Sequence, residues 1–157
     1  MTPSKPRAIT CDIDSTLADT LHRAHLINVA DRETTDWLAY AQACGGDTPT
    51  AVVGLLRVLA PHHKIILVTS RPEGARRQTQ DWLAAAEVPY DSLVMLEKHG
   101  QDPTQYKVEA IEKIRRDYDV VLHLDDWWAV GEAVQTQLGI PTVIVRVYQP
   151  EALQPAF

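Results

Sequence analysis

Short, almost continuously apolar runs alternate along the chain with longer segments in which apolar residues recur every three or four positions. The short runs are typical of strands in a parallel sheet that is covered on both faces. They predict five strands, over residues 8–11, 65–68, 93–96, 120–124 and 143–147. The longer segments have the periodicity of helices with one buried face. They predict helices over residues 49–59, 74–86, 104–118 and 127–138.

This alternation predicts an α/β fold, a Rossmann-like, mainly parallel sheet with helices on both faces. The chain is expected to form one domain, residues 1–157. Residues 17–47 depart from the rhythm, and we expect a small, cap-like helical insert there after the first strand. Within it, a helix is expected from Asp36 to Cys44, ending at two glycines. The next helix is expected to begin at Pro49, with Thr48 as its N-terminal cap.

Composition and charge narrow the class of protein. The apolar fraction of 45%, with four tryptophans and five tyrosines, argues against disorder. No apolar run approaches the roughly 18 residues of a membrane span, and the N-terminus lacks the apolar core of a signal peptide. Cys11 and Cys44, with no C-x-x-C pair, argue against a disulfide framework or a zinc site. We therefore expect a cytoplasmic protein that does not engage membranes.

The formal net charge of −6 argues mildly against broad, non-specific nucleic-acid binding. It leaves room for a local basic patch. The best local patch in the sequence combines Arg71 with Arg76 and Arg77.

Polar side chains stand where the predicted strands end. Asp12 and Asp14 follow the first strand, and Lys107 lies near the start of a predicted helix. The second strand is followed by Thr69, Ser70 and Arg71, and the fourth by Asp125 and Asp126. Because ligands of open α/β sheets bind beyond the carboxyl ends of the strands, we expect these groups to converge on one rim.

This set of groups suits phosphoryl transfer, in which a protein mainly positions reactants and neutralises charge. A carboxylate such as Asp12 can attack phosphorus. Asp14 can protonate the leaving oxygen and later accept a proton from water. Thr69 can hydrogen-bond a phosphate oxygen, and Lys107 can offset charge at the same centre.

The carboxylates also suit a metal ion. Asp12, together with Asp125 or Asp126, can hold Mg²⁺, a hard cation that prefers oxygen ligands. Each group alone has an ordinary explanation, since carboxylates after a strand can cap a helix and Lys107 could be a surface lysine. Their joint placement at strand ends favours a catalytic site over these separate explanations.

In this order the residues resemble the haloacid dehalogenase-like phosphatases. The resemblance covers roughly residues 7–147 and is carried by D-I-D-S-T from Asp12, by Thr69 and Lys107, and by the D-D pair at 125–126. It implies that Asp12 is the nucleophile, and that Thr69 and Lys107 bind phosphate.

The same resemblance implies that Asp14 is the general acid and base. It also implies a Mg²⁺ ion bound by the Asp12 carboxylate, the Asp14 backbone carbonyl and Asp125. Most members of the family have glycine after the second aspartate, where this chain has Ser15. That tight turn must therefore accommodate a side chain.

Within the superfamily, the chain is most similar to the 3′-phosphatase domain of phage polynucleotide kinase and its stand-alone phage relatives. The matching segments are residues 69–73, 81–83 and 88–93, with His22-Arg23 and Asp36-Trp37. The resemblance implies a phosphorylated nucleic-acid end, or a nucleotide, as substrate. Two positions depart from the pattern, because Ser70 replaces a usual glycine and Trp127 replaces an arginine that often follows D-D. No G-x-x-x-x-G-K-[ST] motif is present, so no P-loop kinase half is expected in this chain.

Several further side chains are assigned by position. His22 and Arg23 lie in the insert near the predicted mouth, where they are candidates for substrate contact, as is Arg71. Trp82 and Trp128 are expected to pack in the core or between helices rather than to stack on bases.

These observations favour a phosphomonoesterase acting on a nucleic-acid 3′-phosphate, with a 5′(3′)-nucleotidase as the alternative. A receiver-type signalling module uses similar groups, but its phosphorylated aspartate ends the third strand and its lysine follows the last. Here the second acidic pair follows Lys107 instead. A catalytically silent phosphate-binding protein is disfavoured because no core motif residue is missing. The sequence does not identify an oligomeric state.

Overall fold

A five-stranded parallel sheet forms the centre of the structure, a computed structural model that describes residues 4–97 and 100–147. A separate pair of two-residue strands runs antiparallel. In chain order the strands are β1 (Arg7–Cys11), β2 (Ala18–Asp19), β3 (Thr48–Pro49), β4 (Lys64–Pro72), β5 (Ser92–Leu96), β6 (Asp119–Asp125) and β7 (Thr142–Ile144). The spatial order of the sheet is β5-β4-β1-β6-β7. Every neighbouring pair in it is parallel, which confirms the predicted fold class.

Helices cover both faces of this sheet, as expected for strands that are apolar on both sides. The α-helices are α1 (Trp37–Gln42), α2 (Ala51–Leu59), α3 (Arg76–Ala85), α4 (Pro103–Ile114) and α5 (Trp128–Leu138). Along β1 the side chains alternate, so that Ile9 and Cys11 belong to the core under α2 and α3. Ala8 belongs to the core under α4 and α5. None of the described helices is long and apolar enough to cross a membrane.

Local signals in the sequence set the helix ends. The Asp102 side chain accepts a hydrogen bond from the Gln105 amide at 2.8 Å, and Pro103 occupies the first helical position of α4. This start fixes the register that turns Lys107 toward the sheet. Helix α5 ends at Gly139, whose φ of +69° lies in the left-handed region that favours glycine.

The insert after β1 consists mainly of short helical segments. It contains α1 and three 3₁₀ segments, Leu21–Leu26, Arg32–Thr34 and Ala43–Gly46. The Asp36 carboxylate caps α1 by accepting from the Ala39 amide at 2.9 Å, which agrees with the expected start of that helix. The ends of the expected domain, residues 1–3 and 148–157, lie outside the described residues.

The predicted start of the next helix is wrong. Helix α2 begins at Ala51, and the hydroxyl of Thr50 caps it by accepting from the Val52 amide at 3.2 Å. Thr48 and Pro49 form β3 instead, paired with β2, so they fasten the two ends of the insert together. Proline is tolerated at such an edge because no ladder hydrogen bond is required of its nitrogen.

Candidate active site

The carboxyl ends of β1 and β6 bring two aspartates together. Asp12 directly follows β1, and its amide donates to the Leu124 carbonyl of β6 at 2.9 Å. Asp125 is the last residue of β6 and is fully buried. Because the strands are adjacent and parallel, the two carboxylates face the same crevice, as the sequence pattern predicts.

Lys107 joins these two carboxylates. Its ammonium donates to Asp12 Oδ1 and to Asp125 Oδ2, both at 2.7 Å, and the whole side chain is buried. Burial opposes the charged form of lysine, but the two carboxylates outweigh it and raise the lysine's pKa above its usual value. Lys107 is therefore a fixed positive charge between the two strand ends.

The carboxylates of Asp12, Asp125 and Asp126 form a cluster in which one oxygen of each lies within 4.8 Å of the others. Burial raises the pKa of Asp12, and Lys107 offsets this only in part. Burial and the charge of Asp125 raise the pKa of Asp126 to about 7. For Asp125, burial is outweighed chiefly by Lys107, and its pKa falls to about 2. One ammonium among three carboxylates leaves a surplus of negative charge.

That surplus is what a divalent cation would neutralise, and an all-oxygen donor set is the kind that Mg²⁺ prefers. The cluster therefore fits the ion expected from the sequence. It includes Asp12, Asp125 and Asp126.

A histidine that the sequence reasoning missed supports Asp125. His123 is fully buried on β6, with Nε2 3.2 Å from Asp125 Oδ2 and Nδ1 2.9 Å from the Thr10 hydroxyl of β1. These contacts join β1 to β6 next to Asp125 of the carboxylate cluster. Its signal in the sequence is weak, consisting of one polar residue in each of two otherwise apolar strands.

Asp14 lies across the crevice from the lysine and is held by arginines. Arg71 donates to it from Nη2 at 2.7 Å and from Nε at 3.1–3.2 Å, and Arg23 also contacts the Oδ1 atom. Burial alone would raise the pKa of Asp14, but the charges and hydrogen bonds of Arg71 and Arg23 outweigh it and lower that pKa. About a quarter of the Asp14 side chain stays exposed, at 27%.

A second residue missed at the sequence level, Asp47, anchors both arginines. It is fully buried and accepts from Arg23 Nε and Nη2 at 2.7 Å and from Arg71 Nη2 at 3.1 Å. His22 Nε2 lies 2.8 Å from Asp47 Oδ1, the oxygen that also accepts from Arg23 Nε. Arg23, Asp47, Arg71 and Asp14 thus form one charged network, which we call the arginine network. It connects the insert to β4.

Sequence comparison identifies the family to which this site belongs. A family model described as the polynucleotide kinase PNKP phosphatase domain, of the HAD type, matches residues 6–148. The chain belongs to this family. It is therefore a phosphatase with the HAD-like α/β fold. Among curated proteins, no sequence matches the chain.

Solved structures agree with the assignment. A Pnkp1/Rnl/Hen1 complex contains a chain 26% identical to this phosphatase, with a TM-score of 0.75 over 91% of this chain and 47% of that one. A chain in the structure of the Pnkp1/Rnl/Hen1 RNA repair complex is 27% identical to this phosphatase. The match has a TM-score of 0.73 and covers 90% of this chain and 43% of that one. This phosphatase chain therefore spans less than half the length of those proteins.

A class C acid phosphatase from Bacillus anthracis with tungstate bound shares the fold. It is 16% identical, with a TM-score of 0.67 over 92% of this chain and 68% of that one. The α/β architecture around the phosphatase site is therefore common to more distant phosphatases.

The turn after Asp14 shows how this phosphatase accommodates a side chain in place of glycine. Ser15 has a φ of +59°, in the left-handed region, and its amide donates to the Ala18 carbonyl at 2.8 Å. Such a conformation costs a non-glycine residue about 1–3 kcal/mol. The surrounding turn hydrogen bonds hold it in place.

Three polar residues, Thr69, Ser70 and Arg71, lie in the last part of β4, and Arg71 belongs to the arginine network. Thr69 is buried at the carboxyl end of the strand, and its hydroxyl accepts from the Arg71 amide at 3.2 Å. The Ser70 hydroxyl is buried without a hydrogen-bond partner among the described residues. Thr69 thus remains beside β1 with a hydroxyl hydrogen that this contact does not use.

The predicted basic patch of Arg71, Arg76 and Arg77 is wrong. Arg71 points inward to Asp14, and Arg76 is paired with Glu73, with its Nη2 2.9 Å from that carboxylate. Of the three arginines, only Arg77 is exposed. A guanidinium is attracted more strongly to a buried carboxylate than to an exposed one, because salt screens charges at the surface. The sequence alone does not show where the buried carboxylate lies.

Of the two tryptophans expected to pack, Trp82 does so and Trp128 does not. Trp82 is buried and its indole N–H donates to the Asp47 carbonyl at 2.9 Å, as expected for a packing residue. Trp128 was expected to pack but is 66% exposed, because it begins α5 on the outer side of that helix. Trp127 donates its backbone N–H to Asp125 Oδ1 at 2.9 Å, and the residue is 51% exposed.

Proposed function

We propose that this phosphatase is a Mg²⁺-dependent phosphomonoesterase that works through an aspartyl-phosphate on Asp12, with a nucleic-acid 3′-phosphate as substrate. The observation that carries the proposal is the pair of separately held aspartates. Asp12 belongs to the carboxylate cluster and accepts a hydrogen bond from Lys107, whereas Asp14 is held by the arginine network. Two carboxylates in different surroundings can take different roles in one reaction.

In the first step, an Asp12 oxygen attacks phosphorus, an acyl-phosphate bond forms and the bond from phosphorus to the leaving oxygen breaks. Asp14 enters this step protonated and gives that oxygen its proton, and Arg71 and Arg23 stabilise the carboxylate that results. In the second step, water attacks phosphorus, Asp14 accepts the water's proton, and the bond to Asp12 breaks to release inorganic phosphate. Lys107 and Thr69 would bind the phosphate oxygens.

Arg71 and Ser70 are the other proposed phosphate or substrate contacts. The buried hydroxyl of Ser70 has no partner among the described residues, so it is available to a ligand. The Nη2 atom of Arg71 already donates to both Asp14 and Asp47. The main role proposed for Arg71 is therefore to position Asp14.

The Asp12, Asp125 and Asp126 carboxylates would hold the metal ion, with the Asp14 backbone carbonyl as a further ligand. When bound, Mg²⁺ would reduce the repulsion between the Asp12 carboxylate and the anionic phosphate. In the structure, the carboxylate cluster supports this assignment through its surplus negative charge.

Chelation of divalent ions should therefore lower the activity by at least about 100-fold, and added Mg²⁺ should restore it. Calcium should restore little, because its larger and looser coordination misplaces nucleophile and phosphate. The measurement is the initial rate across a titration of each ion after treatment with chelator. Mg²⁺ should also raise the melting temperature of the wild-type protein and raise it less in Asp126→Asn. Undiminished turnover in excess chelator would contradict the assignment.

For the substrate, the family itself gives the main support, since it is defined by the phosphatase domain of a polynucleotide kinase. One neighbour of known structure is a Pnkp1 RNA repair complex. The insert is also short, so it leaves room for a polymer end. The nucleotidase alternative draws support from the net charge of −6 and from the arginines that the structure turns inward.

A chain-length series separates these two substrates. If the polymer is the substrate, kcat/KM should rise from a 3′-mononucleotide to a short 3′-phosphorylated oligonucleotide, and added salt should reduce the gain. Replacing the exposed Arg77 by alanine should weaken the gain and lower the salt slope by about one. Arg116→Ala removes another exposed arginine, far along the chain, and serves as the control. Better turnover of 5′-mononucleotides, with no gain from length, would favour the nucleotidase.

The remaining alternatives have less support. Membership of a phosphatase family argues against a receiver-type module and against a silent phosphate-binding protein. We propose the cytoplasm as the location because both cysteines are free and buried. We also propose that residues 1–157 fold as one domain.

A further inference from the structure

A cluster of one exposed arginine, one exposed tryptophan and one half-buried tryptophan lies next to the carboxylate cluster. The guanidinium carbon of Arg32 lies 5.5 Å from the ring centre of Trp37 and 5.8 Å from that of Trp127. Arg32 and Trp37 belong to the insert, whereas Trp127 follows β6. We call these three side chains the aromatic rim.

The position of Trp127 connects the rim to the site. Its backbone N–H is hydrogen-bonded to Asp125 Oδ1, and Asp126 immediately precedes it. On the insert side, the Trp37 ring packs edge-on against Tyr40, with 5.6 Å between centroids. Tyr40 lies beneath the Arg23 guanidinium of the arginine network at 4.1 Å. The rim therefore borders the crevice from the carboxylate cluster across to the insert.

The rim has the composition of a stacking surface rather than of a core. Trp127 is half exposed, whereas Trp82 of the same chain is almost fully buried. Every nucleobase has a π-face, so exposed indoles bind bases without regard to sequence. An arginine held against such rings adds a cation–π contribution and a positive charge. This mode of binding suits a chain of net charge −6 in which Arg71 and Arg76 are engaged with carboxylates.

We infer that the aromatic rim binds the base of the nucleotide whose phosphate is hydrolysed at Asp12. The inference rests on the proposed function and sets its substrate class: a phosphate borne by a base-carrying nucleotide, in preference to a sugar phosphate without a base. Trp127 is then a specificity-determining residue.

The test compares two oligonucleotides with a 3′-phosphate, identical except that the terminal residue of one is an abasic tetrahydrofuran. The wild-type kcat/KM should be about tenfold higher for the end that carries a base, in line with the usual strength of base–aromatic stacking. Trp127→Ala should bring this ratio close to one, and Trp127→Phe should keep most of it. Trp128→Ala is the matched control, since it removes the neighbouring exposed indole and should leave the ratio unchanged.

A binding measurement gives an answer that does not depend on turnover. Asp12→Asn protein is mixed with a 3′-phosphorylated oligonucleotide that ends in 2-aminopurine, whose fluorescence falls on stacking. The fluorescence should fall on binding, and adding Trp127→Ala should remove most of the fall.

The outcomes separate the two proposals. An unchanged ratio in Trp127→Ala, or a fall in fluorescence that persists without Trp127, would overturn the rim as a base-binding surface, even with high 3′-phosphatase activity. Failure to hydrolyse either 3′-phosphate faster than a small phosphomonoester would instead refute the proposed substrate, and the fluorescence result would still decide whether the rim binds a base.

Discussion

Replacing Asp12 by asparagine should lower turnover by at least about 10⁴-fold, the scale seen when a covalent nucleophile is removed. The amide cannot form an acyl-phosphate, so the proposed covalent route is closed. The fold should survive, because asparagine has the same shape: its amide oxygen can still accept from Lys107, and its amide nitrogen can donate to the Thr16 hydroxyl. Removing one of three crowded carboxylates also relieves repulsion within the cluster. The measurements are kcat for a 3′-phosphorylated oligonucleotide and the melting temperature of each variant.

The control for this prediction is Asp117→Asn. Asp117 is exposed and precedes β6, at the opposite end of that strand from the cluster. It should leave kcat and the melting temperature unchanged. Trapping of labelled phosphate on the wild-type protein, but not on Asp12→Asn, would support the covalent route. Full activity in purified Asp12→Asn would refute it.

The second large effect should appear on stability, when Asp47 is replaced by asparagine. Asp47 is fully buried and accepts hydrogen bonds from two arginines. Its loss leaves two buried guanidiniums with Asp14 as their remaining carboxylate. Breaking a buried ion pair from one side costs about 3–5 kcal/mol, which corresponds to a fall of roughly 10 °C in the melting temperature of a domain of this size. Turnover should fall as well, since the arginines also position Asp14.

A matched substitution in an exposed ion pair calibrates this result. Asp91 contacts Lys64 at 2.7 Å, with both side chains more than a third exposed. Asp91→Asn should cost no more than about 1 kcal/mol, because water and salt screen such pairs. Both values come from denaturant unfolding under one set of conditions. Equal losses for the two variants would show that the arginine network does not stabilise the fold as described.

The sequence predicted the part of the site that follows from strand ends. Apolar runs located the central strands, and the carboxyl ends of parallel neighbours must meet, so the closeness of Asp12 and Asp125 follows from the topology. The position of Lys107 came from the order of motifs. In the structure, helix α4 supplies the physical reason, because its capped start sets the face that carries the lysine.

The arginine network could not be predicted in the same way. Arg23 and Asp47 are 24 residues apart in the insert, where no strong periodicity predicts pairing. They meet because β2 and β3 close the insert into a loop, and that pairing involves only two residues on each side. For the same reason Arg71 was interpreted as part of a surface patch. Its inward direction depends on a carboxylate whose location only the tertiary structure reveals.

The order of the sheet has a consequence for synthesis of the protein. Strand β1 is made first but lies at the centre, between β4 and β6. Asp12 meets its partner Lys107 across 95 residues of sequence, and Asp125 comes later still. At the usual rates of translation, roughly 5–25 s separate the first aspartate from the last. A nascent chain on the ribosome therefore exposes an apolar strand with no sheet neighbour until β4 emerges, and it acquires its carboxylate cluster only when β6 emerges.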